Sequence, residues 1–191
     1  MAQAVVLAGG ASRRLGRPKA LVDFLHGTVL STLVERLVAH GVETVAVVHP
    51  DVVGATADLP CRVVVNPRPD EGRTGSLHLG LAELGASATD VLVCPVDRPG
   101  WDLGVLEAIL ETSGEAVVPS HEGRTGHPLL VRGEALARIT ALPMDAPLRD
   151  AIRSRTVVQV DAPYLHVNLD HPKDLEALPA LQAWLRRGEN P

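Results

Sequence analysis

Aromatic side chains are nearly missing from this 191-residue chain, where Phe24, Trp101, Tyr164 and Trp184 are the whole complement. So few ring faces leave no platform on which unpaired bases could stack, which argues against a single-stranded nucleic-acid binder. The interior must instead be filled by Val, Leu, Ile and Ala, which supply most of the 46% hydrophobic fraction. Positive charge is also in deficit, because 18 Lys and Arg face 23 Asp and Glu for a net charge of -5. No global field exists to hold a polyanion by counterion release, so no nucleic-acid partner is expected.

Cysteine is scarce. Cys61 and Cys94 form no CxxC and are not paired with His at metal-ligand spacing. Neither a disulfide framework nor a zinc site is signalled, and the reducing cytoplasm is the expected location. No apolar run approaches the roughly 18 residues of a membrane span, and Met1-Ala2-Gln3 lacks the basic start of a signal peptide, so neither membrane insertion nor export is expected. The length is below the roughly 250 residues at which single cores stop growing, which makes residues 1–191 one expected domain.

What is present is a repeated pattern of short apolar runs and amphipathic stretches. Runs at Ala4–Ala8, Thr44–His49, Arg62–Asn66, Asp90–Val96, Glu115–Pro119, Pro128–Arg132, Thr156–Asp161 and Tyr164–Leu169 predict strands. Between them, Leu30, Leu33, Val34, Leu37 and Val38 share one helical face that Gly41 would close, and further helices are marked by Leu77, Leu81, Leu84 and by Leu103, Leu106, Leu110. Strands that are apolar throughout rather than alternating belong to a sheet buried on both faces. The expected class is therefore α/β, a Rossmann-like three-layer sandwich around a mostly parallel sheet. In such folds ligands gather outside the carboxyl ends of the strands, near the loop after Ala8, the residues after Val96 and the segment around Asp170.

The first of these places carries Leu7-Ala8-Gly9-Gly10-Ala11-Ser12-Arg13-Arg14-Leu15-Gly16-Arg17-Pro18-Lys19. Glycines let backbone N–H groups approach a phosphate, and four cations between Arg13 and Lys19 are a local excess in an acidic chain. A Walker A loop is excluded because five residues separate Gly10 from Gly16 and Arg17-Pro18 follow, and no G-x-G-x-x-G dinucleotide fingerprint occurs. At the second place, Asp97 follows a buried strand and suits magnesium, a hard cation held by one or two carboxylates together with substrate phosphates. At the third, Asn168 and Asp170 alternate with Val167 and Leu169, so a strand there would turn both to one face as further metal ligands; Asp170 also stands where a helix N-cap could. Asn66 and Ser76 flank a Pro/Gly-rich loop and helix start suited to an anion or to a nucleotide's base and ribose.

The unbroken register of Leu7, Ala8, Gly9, Gly10, Ser12, Arg14, Leu15, Gly16 and Lys19 resembles the signature of the MobA-like NTP transferases, the relatives of the molybdenum-cofactor guanylyl- and cytidylyltransferases. The resemblance extends over Asn66, Gly72, Ser76 and Gly80, over Asp97 to Pro99, over Gly126-His127-Pro128 and over Asn168 to Leu175, departing at Arg73-Thr74-Gly75, at His171 and at Lys173. It implies a nucleotide-diphospho-sugar transferase type of fold and a Mg2+-dependent enzyme moving NMP from an NTP to a phosphorylated acceptor with release of pyrophosphate. It also implies Gly9 and Gly10 near the base, Arg14 and Lys19 on the β- and γ-phosphates, Asp97 and Asp170 on the metal with Asn168 as substitute, and His127 at the acceptor. Arg14, Lys19 and Asp97 would be the catalytic set. Molybdopterin is the implied acceptor, and a molybdoenzyme or cofactor-biosynthesis protein the implied partner. Gly10 resembles the guanylyl branch whereas Pro18 and the Gly126-His127-Pro128 loop resemble the cytidylyl branch, so GTP and CTP both stay open. A sugar phosphate as acceptor, or a binding module without catalysis, are the alternatives; a hydride-transferring oxidoreductase is disfavoured by the missing fingerprint.

Overall fold

The computed structural model describes residues 2–188. In chain order it forms β1 (Gln3–Ala8), a short β2–β3 hairpin (Asp23–Phe24, Gly27–Thr28), α1 (Val29–Ala39), β4 (Glu43–Val48), β5 (Arg62–Val65), α2 (Gly72–Leu84) and β6 (Asp90–Pro95). It continues through α3 (Leu103–Glu111), β7 (Ala116–His121), β8 (Arg124–Thr125), β9 (Leu129–Arg132), α4 (Gly133–Thr140), β10 (Thr156–Gln159) and α5 (Leu178–Gly188).

The main sheet runs β10-β7-β9-β6-β1-β4-β5, with β8 pairing to β7. Every neighbouring pair along that path is parallel except those made by β9, which lies antiparallel between β6 and β7. Each β1 residue is buried, as a central strand between parallel partners requires. Its side chains alternate between two cores: Ala4, Val6 and Ala8 meet the α1, α3 and α5 layer, while Val5 and Leu7 meet α2 and α4. The α/β sandwich with a mostly parallel sheet is thus the fold found.

Helix α1 shows how local chemistry sets a boundary. Thr28 Oγ1 accepts the Ser31 N–H at 3.1 Å and Ser31 Oγ accepts the Thr28 N–H at 2.9 Å, a reciprocal cap. Leu33, Val34 and Leu37 then lose all exposure, each burial being worth about 1.5–3 kcal/mol. At the far end the Gly41 and Val42 amides return to the Val38 and Leu37 carbonyls.

One expectation needs correction, and some elements were not foreseen. Tyr164–Leu169 is not a strand: two local turns bend it, Leu165 N–H to Ala162 O and Val167 N–H to Tyr164 O, and only the Leu169 N–H reaches β6's continuation, at Asp97 O. Leu165 and Leu169 are buried anchors of an irregular segment, which gives an apolar run without a ladder. In α3 the inward face is Val105, Leu106 and Ile109, and Leu103 at the first turn stays 38% exposed. The β2–β3 hairpin, β8, α4 and α5 were not expected.

Helix α2 crosses β1 and β4 closely at Gly80. A Cβ there would overlap Val5 Cγ1 and press on Val47 Cγ2 at 3.2 Å. Gly80→Ala is expected to cost about 1–3 kcal/mol by overpacking, read as a lower urea midpoint with an unchanged slope. An unshifted midpoint would show that the crossing relaxes freely.

Candidate active site

The carboxyl ends of β1, β4, β5 and β6 open onto one cleft. The loop after β1 is closed on itself: Ser12, at φ +50°, accepts the Lys19 N–H on Oγ at 3.1 Å, and its carbonyl accepts the Leu15 and Gly16 N–H groups. Leu15 anchors the loop in the core, which leaves Arg13, Arg14 and Arg17 exposed around it. Ser12 therefore sets the loop's shape through the backbone of Lys19. Gly9 is required by a close approach, since a Cβ would lie 3.0 Å from Ser76 Oγ and 3.1 Å from Asn66 Cβ; Gly10 has open space instead.

Asn66 and Ser76 come together behind Gly9. The Asn66 amide donates to Ser76 Oγ at 3.1 Å and its Oδ1 accepts the Arg68 N–H at 2.9 Å, so both ends of this buried side chain are engaged. Ser76 lines the cleft, whereas Asn66 holds Ser76 in place from below. The start of α2 is partly used already: the Gly75 N–H donates to Met144 O and Thr74 Oγ1 donates to Ala146 O.

Lys19 stands between the two carboxylates that the sequence singled out. Its Nζ is 2.8 Å from Asp170 Oδ1 and 3.5 Å from Asp97 Oδ2. Arg14 Nη1 takes the other oxygen of Asp170 at 2.7 Å, and Arg73 Nη2 lies 3.2 Å from Asp97 Oδ2. Hydrogen bonds from Lys19 and Arg14 hold the Asp170 carboxyl far below the usual carboxylate range. Asp97 Oδ1 is buried without a hydrogen-bond partner. An orphaned buried acceptor beside a second carboxylate, with an ammonium between them, fits a hard divalent cation. Among the described residues no group of three or more His, Cys, Asp or Glu could hold a metal. Such a cation would thus need phosphate oxygens and water to complete its shell. Asn168 Oδ1 is likewise buried without a partner, and Asn168 lines a neighbouring cavity that Asp170 shares and Asp97 does not. The strand geometry that would have aligned Asn168 with Asp170 is absent, and the Asp170 and His171 amides are satisfied by Asp174 Oδ2 at 2.9 and 2.7 Å.

Two cavities meet at this centre. The first, about 240 Å3, is lined by Gly9, Gly10, Ser12, Lys19, Asp97 and Asp170, with His49, Asp51 and Arg73 as contributors the sequence reading did not flag. The second, about 510 Å3, is lined by His127, Arg98, Arg149 and Arg155 over an apolar floor. Leu7, Pro95 and Arg73 belong to both. Burial, and then the charges of Arg73 and Arg98, push the His127 imidazole down to about 4, with Asp97 opposing; its Nδ1 has no partner.

Residues 4–167 match the family described as MobA-like NTP transferase domain, and the chain belongs to that family. Over 132 residues, 66% of this chain, it is 29% identical to a Bacillus cytotoxicus protein named "Probable molybdenum cofactor guanylyltransferase", and the match spans 65% of that protein's length. In fold it is similar to Rv0371c from Mycobacterium tuberculosis H37Rv, with a TM-score of 0.78, 24% identity and coverage of 93% of this chain and 98% of that one. The manganese complex of Rv0371c matches with a TM-score of 0.73 and 23% identity over 92% and 96% of the two chains. "A nucleotidyl transferase from Methanothermobacter thermautotroptrophicus (Mth528)" matches with a TM-score of 0.77 and 24% identity over 96% and 99%. The sandwich is thus a nucleotide-diphospho-sugar transferase type of fold. No described helix is long and apolar enough to cross a membrane.

The position of His127 yields a pH expectation. A folded-state value below the ordinary 6.5 means that the native protein prefers the neutral ring; that contribution to stability is whole above 6.5 and is lost as the pH falls toward 4. An NMR titration of the His127 ring should therefore show no protonation above about pH 5. A midpoint near the ordinary histidine value would show that the cavity is more open to water than the structure has it.

Proposed function

We propose that this protein is a Mg2+-dependent nucleotidyltransferase that moves NMP from GTP or CTP to a phosphorylated acceptor, with molybdopterin as the first acceptor to test. The observation that carries the proposal is Lys19 bridging Asp97 and Asp170 below the glycine loop, in a cleft that shares Arg73 with a second cavity rich in arginine. That arrangement matches what joining two phosphates demands.

An oxygen of the acceptor's phosphate attacks the α-phosphorus of the triphosphate in line, the bond from the α-phosphorus to the bridging oxygen of the β-phosphate breaks, and pyrophosphate leaves. A phosphate dianion carries no proton on the attacking oxygen, so no general base is required. The neutral ring of His127 suits this, since it can orient an acceptor group by hydrogen bonding without serving as a base. Both reactants are anions, and the protein's task is positioning and neutralisation. Asp97 and Asp170 would hold the metal, which when bound offsets charge on the phosphate oxygens. Lys19 and Arg14, displaced from those carboxylates, would turn to the leaving pyrophosphate. Ser76 and the Gly9-Gly10 backbone would line the base and ribose, with Asn66 bracing them and Leu7 and Ala8 leading the chain into the loop. One domain would carry the whole reaction.

The direct test is a pyrophosphate-release screen of the four common NTPs against molybdopterin and sugar phosphates, with and without magnesium. Release with none of these pairs would overturn the proposal. Lys19→Ala is expected to lower kcat by about 100-fold or more with the fold retained, as loss of a preorganised charge does elsewhere. Near-normal turnover would remove Lys19 from the catalytic set. Asp97→Asn should raise the magnesium concentration needed for half-maximal rate, and an unchanged requirement would count against Asp97 as ligand.

A further inference from the structure

Arg73 occupies the join of the two cavities. It is the second residue of α2, and it lines the nucleotide-side cleft and the arginine-rich cavity alike. Among the described residues it pairs with Asp97 Oδ2 at 3.2 Å, and its side chain remains 58% exposed. Its charge reaches into the second cavity as well, since it is among the causes that depress His127.

Three physical points bear on what such a group does. First, the Arg73–Asp97 pair is duplicated, because Lys19 Nζ approaches the same oxygen at 3.5 Å; losing the guanidinium would not leave the carboxylate unpaired. Second, the helix start from which Arg73 projects has little else to offer an anion, because the Gly75 amide and the Thr74 hydroxyl are committed to the Met144–Ala146 turn. Third, Arg73 holds Asp97 through one oxygen from a side chain that is largely exposed, so an incoming anion can draw the guanidinium away. A guanidinium evicted from a carboxylate keeps five donors in a planar fork, the geometry that meets phosphate in a bidentate way.

Resting on the transferase reading above, we propose that Arg73 is a further catalytic residue: on nucleotide binding it exchanges Asp97 for phosphate oxygens and clamps the acceptor's phosphate against the α-phosphate. It forms no covalent bond and moves no proton. Its charge offsets the repulsion between the two anions at the point where they must meet, and its fork fixes the attacking oxygen in line. Lys19 and Arg14 serve the leaving group from the opposite side of the carboxylates. The acceptor implied is one whose reacting group is an anion, a phosphate monoester on the reading above, since a neutral hydroxyl acceptor would not need a bidentate cation at this join.

The test uses the full chain and its R73Q and R73K variants. Calorimetry measures α,β-methylene-GTP and α,β-methylene-CTP with magnesium, and then inorganic phosphate added to that complex in place of the acceptor. Nucleotide affinity is expected to change by no more than about threefold. Phosphate should bind the wild-type complex and weaken by about tenfold or more in R73Q. In turnover with molybdopterin, R73Q should lose about 100-fold in kcat with a raised acceptor KM, the scale of one lost charge-stabilising donor. R73K should recover only a small part, because a point charge lacks the fork. Added guanidinium ion should restore part of the R73Q rate. The inference is overturned if wild type binds no phosphate, if R73Q binds it as well as wild type, or if R73Q loses nucleotide affinity instead. Phosphate binding that depends on Arg73 in a protein that releases no pyrophosphate would overturn the transferase reading alone.

Discussion

Two carboxylates are brought to within about 6 Å of each other across the mouth of a parallel sheet, and a lysine between them makes that possible. Unscreened by a cation, such a pair would repel by about 1–3 kcal/mol at the dielectric of a protein surface. Lys19 removes that repulsion, and Arg14 and Arg73 close the ends of the chain of charges. The rest of the centre follows from keeping this row intact. Ser12 folds the glycine loop so that Lys19 turns inward. The Leu169 N–H bond to Asp97 O ties the late irregular segment to the end of β6 and so delivers Asp170. Asp174 then secures the Asp170 backbone.

The same row explains how the resting protein can hold charges meant for a substrate. Every cation that would meet a triphosphate is occupied by a carboxylate that would meet a metal. On the proposed reading, metal and nucleotide would relieve each other's cost, since each would free the partner that the other needs.

Much of this was legible in the sequence, for physical reasons that differ by element. A central parallel strand must be apolar on both faces, so β1, β4 and β6 announce themselves as uninterrupted runs. The glycine loop was legible because its glycines, cations and Ser12 stand in one unbroken register. The segment around Leu165 and Leu169 misled because buried anchors of a loop look like a strand when only hydropathy is read. The strand that would have aligned Asn168 with Asp170 is missing, and Asn168 keeps a buried, unpartnered Oδ1 on the irregular segment instead. His127 could be singled out only by kinship; its depressed ring titration comes first from burial and then from Arg73 and Arg98, which are distant in sequence and line the same cavity. Arg73 carried no periodic or spacing signal, since its significance arises where two cavities touch. Helix α4 is only eight residues long and buries just Ala135, Leu136 and Ile139, too short an apolar face to stand out.

One strand runs against the rest. Because β9 is antiparallel between β6 and β7, the sheet's ligand edge receives the entry of β9 where the neighbouring parallel strands present their exits. The Gly126-His127-Pro128 loop arrives at the centre through that entry, from the opposite chain direction to the glycine loop and Asp97. A length change in the hairpin before β9 would slide the acceptor side along the edge while β1 and β6 stay in register. The reversed strand thus separates two sets of loops at one edge, and on the proposed reading those after β1 and β6 would keep the triphosphate while the one before β9 could be refitted to a different acceptor.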